Sequence, residues 1–461
     1  MPEHYDAIII GTGQAGPSLA VKLAKAGQRV AVIERHRFGG TCVNTGCIPT
    51  KTLVASARVA YLARRAADFG VEIGGPITMN MKRVKARKDE IAGESETGVE
   101  KWLRKTQNCT VYKAQAKFRS DREISAGDEV LTADKIFINV GARAAVPAIP
   151  GLDQVNYLTN SSMMNLDFAP RHLVIIGGSF IGLEFAQMYR RFGSEVTVLE
   201  HGPRLIGRED PDVSDTLREI LEKEYVAIQL NSEIRGVGKS GDGVKVQTAV
   251  GVIEGSHLLL ATGRRPNTED LGLENTGIRM NEHGYIQVDD ELKTSVENVW
   301  ALGDCNGRGA FTHTSYNDFE IVAANLLDND HRRVTDRITA YAMITDPPLG
   351  RAGLTEAQAV ATGRPVLIGK RAMTRVGRAI EKSETQGFIK ILVDAESKSI
   401  LGAAILGTEG DEAIHCILDV MYTKAPYTVL QRSMNIHPTV SELIPTVLGD
   451  LKPLQAGEKS K

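Results

Sequence analysis

Three absences bound what this 461-residue chain can be. Cysteine is scarce: the five residues at 42, 47, 109, 305 and 416 are too few and too scattered for a secreted protein's disulfide framework. A reducing cytoplasm is the expected setting, and there a cysteine pair is more often catalytic or metal-binding than structural. Net charge is almost absent, because 55 Lys and Arg face 57 Asp and Glu. That removes any bulk electrostatic case for nucleic acid or an anionic membrane as a partner. Long apolar runs are missing as well, since none nears the roughly 20 residues of a membrane span. The start, Met1-Pro2-Glu3-His4-Tyr5-Asp6, offers no charged region followed by an apolar stretch such as a signal peptide needs. What remains is ordinary soluble composition, 42% apolar and 24% charged. The length suggests about three domains of about 150 residues each.

Against that plain background, "GGTCVNTGC" (Gly39–Cys47) places two of the five cysteines five positions apart behind a glycine pair. The spacing alone leaves metal ligands, buried apolar residues and a redox pair all open. A zinc site would need two further ligands at sensible spacing, and Cys109, Cys305 and Cys416 offer no second pair. On a regular helix, residues five apart point roughly 140° away from each other. Any direct bond between the two sulfurs therefore needs a local break, for which Gly46 and Pro49 are suited.

The first 35 residues form a unit of known chemistry. "YDAIIIGTGQAGPSLAVKLAKAGQRVAVIE" reads as apolar strand, tight glycine turn, amphipathic helix and second strand ending in Glu34. Gly11, Gly13 and Gly16 fit G-x-G-x-x-G. The first permits the turn, the second lets backbone approach a pyrophosphate, and the third packs helix on strand. Glu34 is placed to accept hydrogen bonds from a ribose hydroxyl. The pattern recurs in "RHLVIIGGSFIGLEFAQMYRRFGSEVTVLE", with Gly177, Gly178 and Gly182 and with Glu200 closing the next strand. The spacing from third glycine to acid, Gly16 to Glu34 and Gly182 to Glu200, is 18 residues in both units. Two dinucleotide sites are therefore expected. In the second, Ser179 stands where the middle glycine belongs. Glu200 favours the unmodified ribose of NADH over NADPH, although His201, Arg204 and Arg208 follow closely and an arginine is what a 2′-phosphate would want.

With "GGTCVNTGCIPTK" between two such units, the chain resembles the class I flavoprotein disulfide reductases, the family of dihydrolipoamide dehydrogenase, glutathione reductase and mercuric reductase. "ATGRRPN" (Ala261–Asn267), "VWALGDC" (Val299–Cys305) and "HPTVSE" (His437–Glu442) resemble further family elements, so the likeness spans nearly the whole chain. It implies an α/β fold: two Rossmann-type domains for FAD and NAD(P), and a C-terminal α+β domain through which a homodimer forms. We place the FAD-binding domain at 1–150, the NAD(P)-binding domain at 151–266, a segment completing the FAD site at 267–340 and the interface domain at 341–461.

The resemblance also assigns roles. Cys42 and Cys47 become a redox-active disulfide, with Cys47 facing the flavin and Cys42 exchanging with substrate. Lys51, four residues after Cys47 and on the same helical face, would favour a Cys47 thiolate and contact the flavin, with Glu184 as its acidic partner. Asp304 would bind the ribityl chain of FAD, and Gly40, Thr41 and Gly141 complete the expected FAD contacts beside Gly11, Gly13, Gly16 and Glu34. Phe180 would cover the nicotinamide side of the flavin, joining Gly177, Gly178, Gly182, Glu200 and Gly263 in the NAD(P) site. His437, oriented by Glu442 and supplied by the partner subunit, would carry the proton that thiol–disulfide exchange moves. His313 stands between a flavin contact and a polar surface turn, and Cys416 reads as core in an amphipathic interface helix. The tail "LKPLQAGEKSK" (451–461) is expected to fray.

"GCIPTKTLVASARVAYLARR" most resembles the mercuric reductase-like branch. Mercuric reductases, however, carry a vicinal cysteine pair near the C-terminus, commonly add an N-terminal metal-binding domain, and generally lose the His-Pro element. Here no cysteine follows Cys416, no such added domain is expected, and His437 and Glu442 are kept. The expected substrate is therefore a dithiol or disulfide, small or protein-bound. Reduction of a soft metal ion, Hg(II) or Cu(II), is the alternative, and a flavin sensor without turnover is the third choice. No resident metal is expected.

Overall fold

In the computed structural model, which describes residues 2–454, two regions of largely parallel sheet precede an antiparallel one. The first sheet contains β1 (Glu3–Ile10), β2 (Val30–Ile33), β3 (Cys109–Tyr112), β4 (Ala116–Phe118), β5 (Glu123–Ala126) and β6 (Glu129–Ile138), in the order β3-β2-β1-β6-β5-β4. Residues Ala7–Ile10 of β1 pair in parallel with Val30–Ile33 on one side and Lys135–Ile138 on the other. All four are buried, which suits a run apolar on both faces: a central parallel strand is covered above and below. Helix α1 (Gly16–Lys25) buries Leu19, Ala20, Leu23 and Ala24, and its last turn carries Lys22 and Lys25, where the helix dipole favours cations. A distant strand, Val299–Ala301, joins this sheet beside β6.

The second sheet repeats the plan. Its strands run Ala227–Gln229, Glu195–Leu199, His172–Ile176, His257–Leu260 and Tyr157–Leu158 in spatial order, all parallel. The chain leaves and re-enters between the two sheets side by side, because Ala142–Ala144 pairs antiparallel with Arg264–Pro266. The third sheet is antiparallel, with order Ala340–Met343, Leu349–Gly353, Ile400–Leu406, Phe388–Asp394, Val366–Ala372 and Lys452–Pro453. Helix Gly410–Tyr422 covers it with Ala413, Ile414 and Ile417. Cys416 lies half-buried against this core, as its place in the helical pattern suggested. The expectation of a fraying tail fails at Lys452–Pro453, whose backbone pairs with Leu367 and Ile368. Residues 455–461 lie outside the described residues.

Buried charge ties the second region to the third. The Lys390 ammonium, fully buried, lies 2.9 Å from Asp210, 2.7 Å from Asp212 and 2.6 Å from Glu356. These three carboxylates are the one cluster with metal-like spacing among the described residues, and the lysine occupies their centre. Arg351 pairs with Glu209 and Asp210 at 2.7 and 2.9 Å. Removing one partner of such a buried pair leaves the other uncompensated, at a cost of about 3–5 kcal/mol.

Candidate active site

The break that the cysteine spacing demands is present. Helix α2 (Gly40–Asn44) stops, Thr45 and Gly46 intervene, and helix α3 (Cys47–Arg64) begins at the second cysteine. Gly46 is required by contact as well as by flexibility, because a Cβ there would lie 2.9 Å from the Thr41 carbonyl oxygen. The offset brings both sulfurs within hydrogen-bonding reach as free thiols. They share their protons unequally. Accepting a hydrogen bond from Cys42 pulls Cys47 down to about 6, and the Thr312 hydroxyl 3.1 Å away and the Lys51 charge add to this. Donating to Cys47 pushes Cys42 well above the ordinary thiol range, with burial reinforcing it.

Lys51 meets Glu184 at 2.6 Å, joining α3 to the helix Phe180–Phe192 of the second unit. The other Glu184 oxygen accepts from the Ile344 amide at 2.8 Å, so this carboxylate spans three parts of the chain.

Beside the cysteines lies a cavity of about 630 Å³ lined by Gly11, Gly13, Glu34, Gly40, Thr41, Cys42, Cys47, Lys51, Gly141 and Asp304. Gly16 packs underneath, where a Cβ would stand 2.4 Å from the Gly11 carbonyl oxygen. Gly40, at φ +61, has room for no Cβ either, since one would sit 2.9 Å from Gly13 Cα. This glycine cradle admits backbone-close binding of a pyrophosphate, and the residues fit FAD in that respect. Glu34 accepts from the Thr12 amide (2.9 Å), the Thr12 hydroxyl (2.6 Å) and the His36 amide (2.9 Å). Burial pushes the Asp304 carboxyl up, opposed by Arg264 at 3.2 Å. His313 lines the same cavity, its Nε2 2.7 Å from the Ala340 oxygen, and burial lowers its pKa.

A second, wider cavity of about 1780 Å³ is lined by Gly177, Gly178, Phe180, Glu200 and Gly263. Gly182 packs beneath, a Cβ there meeting the Gly177 oxygen at 2.0 Å. Glu200 accepts from the Gly178 and Gly202 amides at 2.6 and 2.7 Å. Among the basic residues that follow it, His201 and Arg208 face this cavity.

His437 stands apart. Its Nδ1 meets Glu442 Oε2 at 2.8 Å, but its side chain is 79% exposed, and it lines neither cavity of its own chain. The pair is formed, and it is presented outward.

Sequence reasoning missed several residues that shape the site. Asn139 accepts from the Gly16 amide (3.0 Å) and donates to the Leu302 oxygen (2.9 Å), fastening the glycine turn to the Asp304 segment. Its signal was a lone polar residue closing the apolar run Ile136-Phe137-Ile138. Thr312, Phe311 and Tyr341 carried no motif and are found only through the fold.

A family profile described as pyridine nucleotide-disulphide oxidoreductase matches residues 5–318, and one for the dimerisation domain of the same group matches residues 339–448. The probable pyridine nucleotide-disulfide oxidoreductase RclA of Escherichia coli strain K12 is 37% identical over 446 residues, covering 95% of this chain and 97% of that protein. A mercuric reductase of Bacillus cereus is 30% identical over 448 residues, covering 94% of this chain and 70% of that protein. Among solved structures, the Cu(II) complex of the HOCl-induced flavoprotein disulfide reductase RclA from Escherichia coli superimposes with a TM-score of 0.90 at 36% identity. That match spans 97% of this chain and 100% of the other.

Proposed function

Since the chain belongs to the pyridine nucleotide-disulphide oxidoreductase family, we propose that it moves electrons between NADH and a dithiol or disulfide through Cys42 and Cys47, with His437 as proton carrier. The observation that carries this reading is the sulfur pair, brought together at a helix break, with Cys42 lowering the pKa of Cys47. FAD, when bound, relays two electrons between the nicotinamide and these sulfurs. Gly11, Gly13, Gly16, Glu34, Gly40, Thr41, Lys51, Gly141 and Asp304 would hold it, while Gly177, Gly178, Gly182, Glu200 and Gly263 would hold the coenzyme and Phe180 would cover the nicotinamide side of the flavin.

The unequal sharing of protons explains why a base is needed. Cys47 takes the thiolate, so Cys42, the sulfur that must attack, starts protonated. A base that removes its proton lets the Cys42 sulfur attack a disulfide RSSR, forming a mixed disulfide and releasing one thiolate, which the protonated base converts to thiol. Cys47 then attacks the Cys42 sulfur, the second thiolate leaves, and the Cys42–Cys47 bond forms. His437 is suited to this work because an imidazole takes and gives a proton near neutral pH, and Glu442 fixes which nitrogen faces outward. Its outward presentation supports delivery to the cysteines of a second copy, in a homodimer formed through the region of residues 339–448. The scarcity of cysteine supports the cytoplasm as the working compartment.

A second reading, reduction of a soft metal ion, is favoured by the Cu(II) complex of the similar reductase. Two sulfurs in reach of each other are soft donors that suit Cu(I) and Hg(II). Steady-state oxidation of NADH and NADPH against lipoamide, glutathione disulfide, Cu(II) and Hg(II) tests both readings. The proposal expects NADH with a disulfide to give the highest kcat/KM. Turnover with metal ions alone would replace it with the second reading.

A further inference from the structure

We propose that Tyr341 is a positioning residue that holds the Phe180 ring as a shutter between the two cavities. The inference rests on the reading above in one respect: NADH bound in the second unit must reach the flavin of the first. Phe180 and Phe311 each line both cavities, so their rings form part of the partition. Phe180 opens the helix Phe180–Phe192 directly after the glycine turn. Its backbone is therefore tied to the turn that would receive the dinucleotide phosphates, and the partition opens by rotation of the ring about its side-chain bonds.

An aromatic row stands against that rotation. Phe311 lies flat between Tyr341 (centroids 5.4 Å apart, planes 11° apart) and His313 (5.3 Å, 10°). Phe180 meets Tyr341 edge-on at 5.3 Å and Phe311 at 6.0 Å, at 71° in both cases. The far side of the row is anchored. The Tyr341 hydroxyl donates to Glu209, and Arg351 grips Glu209 through Nη2 at 2.7 Å and Nε at 3.3 Å. Arg351 is 1% exposed, so the anchor is buried. A phenol fastened in this way stays in place when Phe180 turns. Opening therefore separates the two rings, and closing brings edge and face back together.

A nucleotide that must open the shutter binds more weakly, because part of its binding free energy goes into parting the Phe180–Tyr341 pair. Aromatic pairs of this kind correspond to about two- to tenfold in an equilibrium constant. The test is calorimetric titration of the FAD-loaded protein with NAD⁺, in wild type and in the Y341F, Y341A, F180A and F180A/Y341A variants. Y341A and F180A should each tighten binding about two- to tenfold. Y341F, which keeps the ring but loses the Glu209 anchor, should tighten it less, and it retains a test should Y341A fold poorly. The double variant should bind no more tightly than F180A, because Tyr341 acts through Phe180. Tyr341 variants that bind NAD⁺ like wild type or more weakly, or whose effect adds in full to that of F180A, would overturn the shutter alone. A wild-type protein that retains FAD yet binds no NAD⁺ would overturn the coenzyme reading, and the shutter with it.

Discussion

The two nucleotide units share one backbone plan and differ at the middle of the turn and in the size of the cavity beside it. In both, the first glycine sits under a neighbouring carbonyl, with a Cβ at Gly11 reaching 2.4 Å from the Asn139 oxygen and one at Gly177 reaching 2.3 Å from the Ala261 oxygen. In both, the acid that ends the second strand accepts from an amide of the turn. The middle position separates them. Gly13 is pressed between Asn139 and Gly40, whereas Ser179 is exposed. The first cavity adjoins the two cysteines and measures about 630 Å³. The second measures about 1780 Å³. The same turn thus serves two sites of different size, the smaller beside the cysteines and the larger away from them.

On that division the chemistry belongs to the cysteine side, and variants there should leave the other side intact. The largest effect is expected at the cysteines. Cys42→Ser and Cys47→Ser should each cut disulfide-linked turnover by at least about a thousandfold, because one sulfur cannot close the intramolecular bond. NAD⁺ affinity measured by calorimetry should stay at the wild-type value in both. The two should part spectroscopically, with long-wavelength charge-transfer absorbance absent from Cys47→Ser and visible without reduction in Cys42→Ser. Identical spectra would reverse the assignment of the two sulfurs.

Next comes the middle position itself. Gly13→Ala places a Cβ 2.8 Å from Asn139 Oδ1, so FAD content by absorbance should fall to a small fraction of wild type. Ser179→Ala should change the KM for NADH by no more than about threefold, the scale of one solvated hydrogen bond. Equal losses at both positions would erase the contrast between the units.

A smaller effect is expected from pH. A thiolate that forms above about 6 means that charge-transfer absorbance of the two-electron-reduced protein should fade as pH falls through that value. The midpoint belongs to the coupled pair of thiols and not to Cys47 alone. Thr312→Val removes a hydroxyl that stabilises the thiolate and should move the midpoint upward by about one pH unit, while Thr312→Ser should restore it. An unmoved midpoint would leave the cysteine side without that contribution.

Much of this contrast was legible in the chain itself. Glycine spacing marked both turns because close backbone approach tolerates no Cβ, and that constraint is written one residue at a time. The helix break between Cys42 and Cys47 could be inferred because a sulfur pair five residues apart cannot sit on one helical face. The long-range contacts around the sites could not. Asn139, Thr312 and Tyr341 act through partners 123, 265 and 132 positions away, at Gly16, Cys47 and Glu209, and an isolated Asn, Thr or Tyr carries no mark of such a partner. The Lys452–Pro453 strand escaped notice for a related reason: a short charged tail looks free until a sheet edge receives it.

The central claim is that electrons leave this protein by thiol chemistry that needs a positioned base. His437→Ala tests it most directly, with disulfide reduction and Cu(II) reduction followed on the same FAD-loaded preparation. General acid–base groups contribute about 10²–10⁴-fold, so turnover of a disulfide should fall by that order. Reduction of Cu(II) has no leaving thiolate to protonate and should be far less affected. Undiminished disulfide turnover in His437→Ala would contradict the account and leave soft-metal reduction as the better reading.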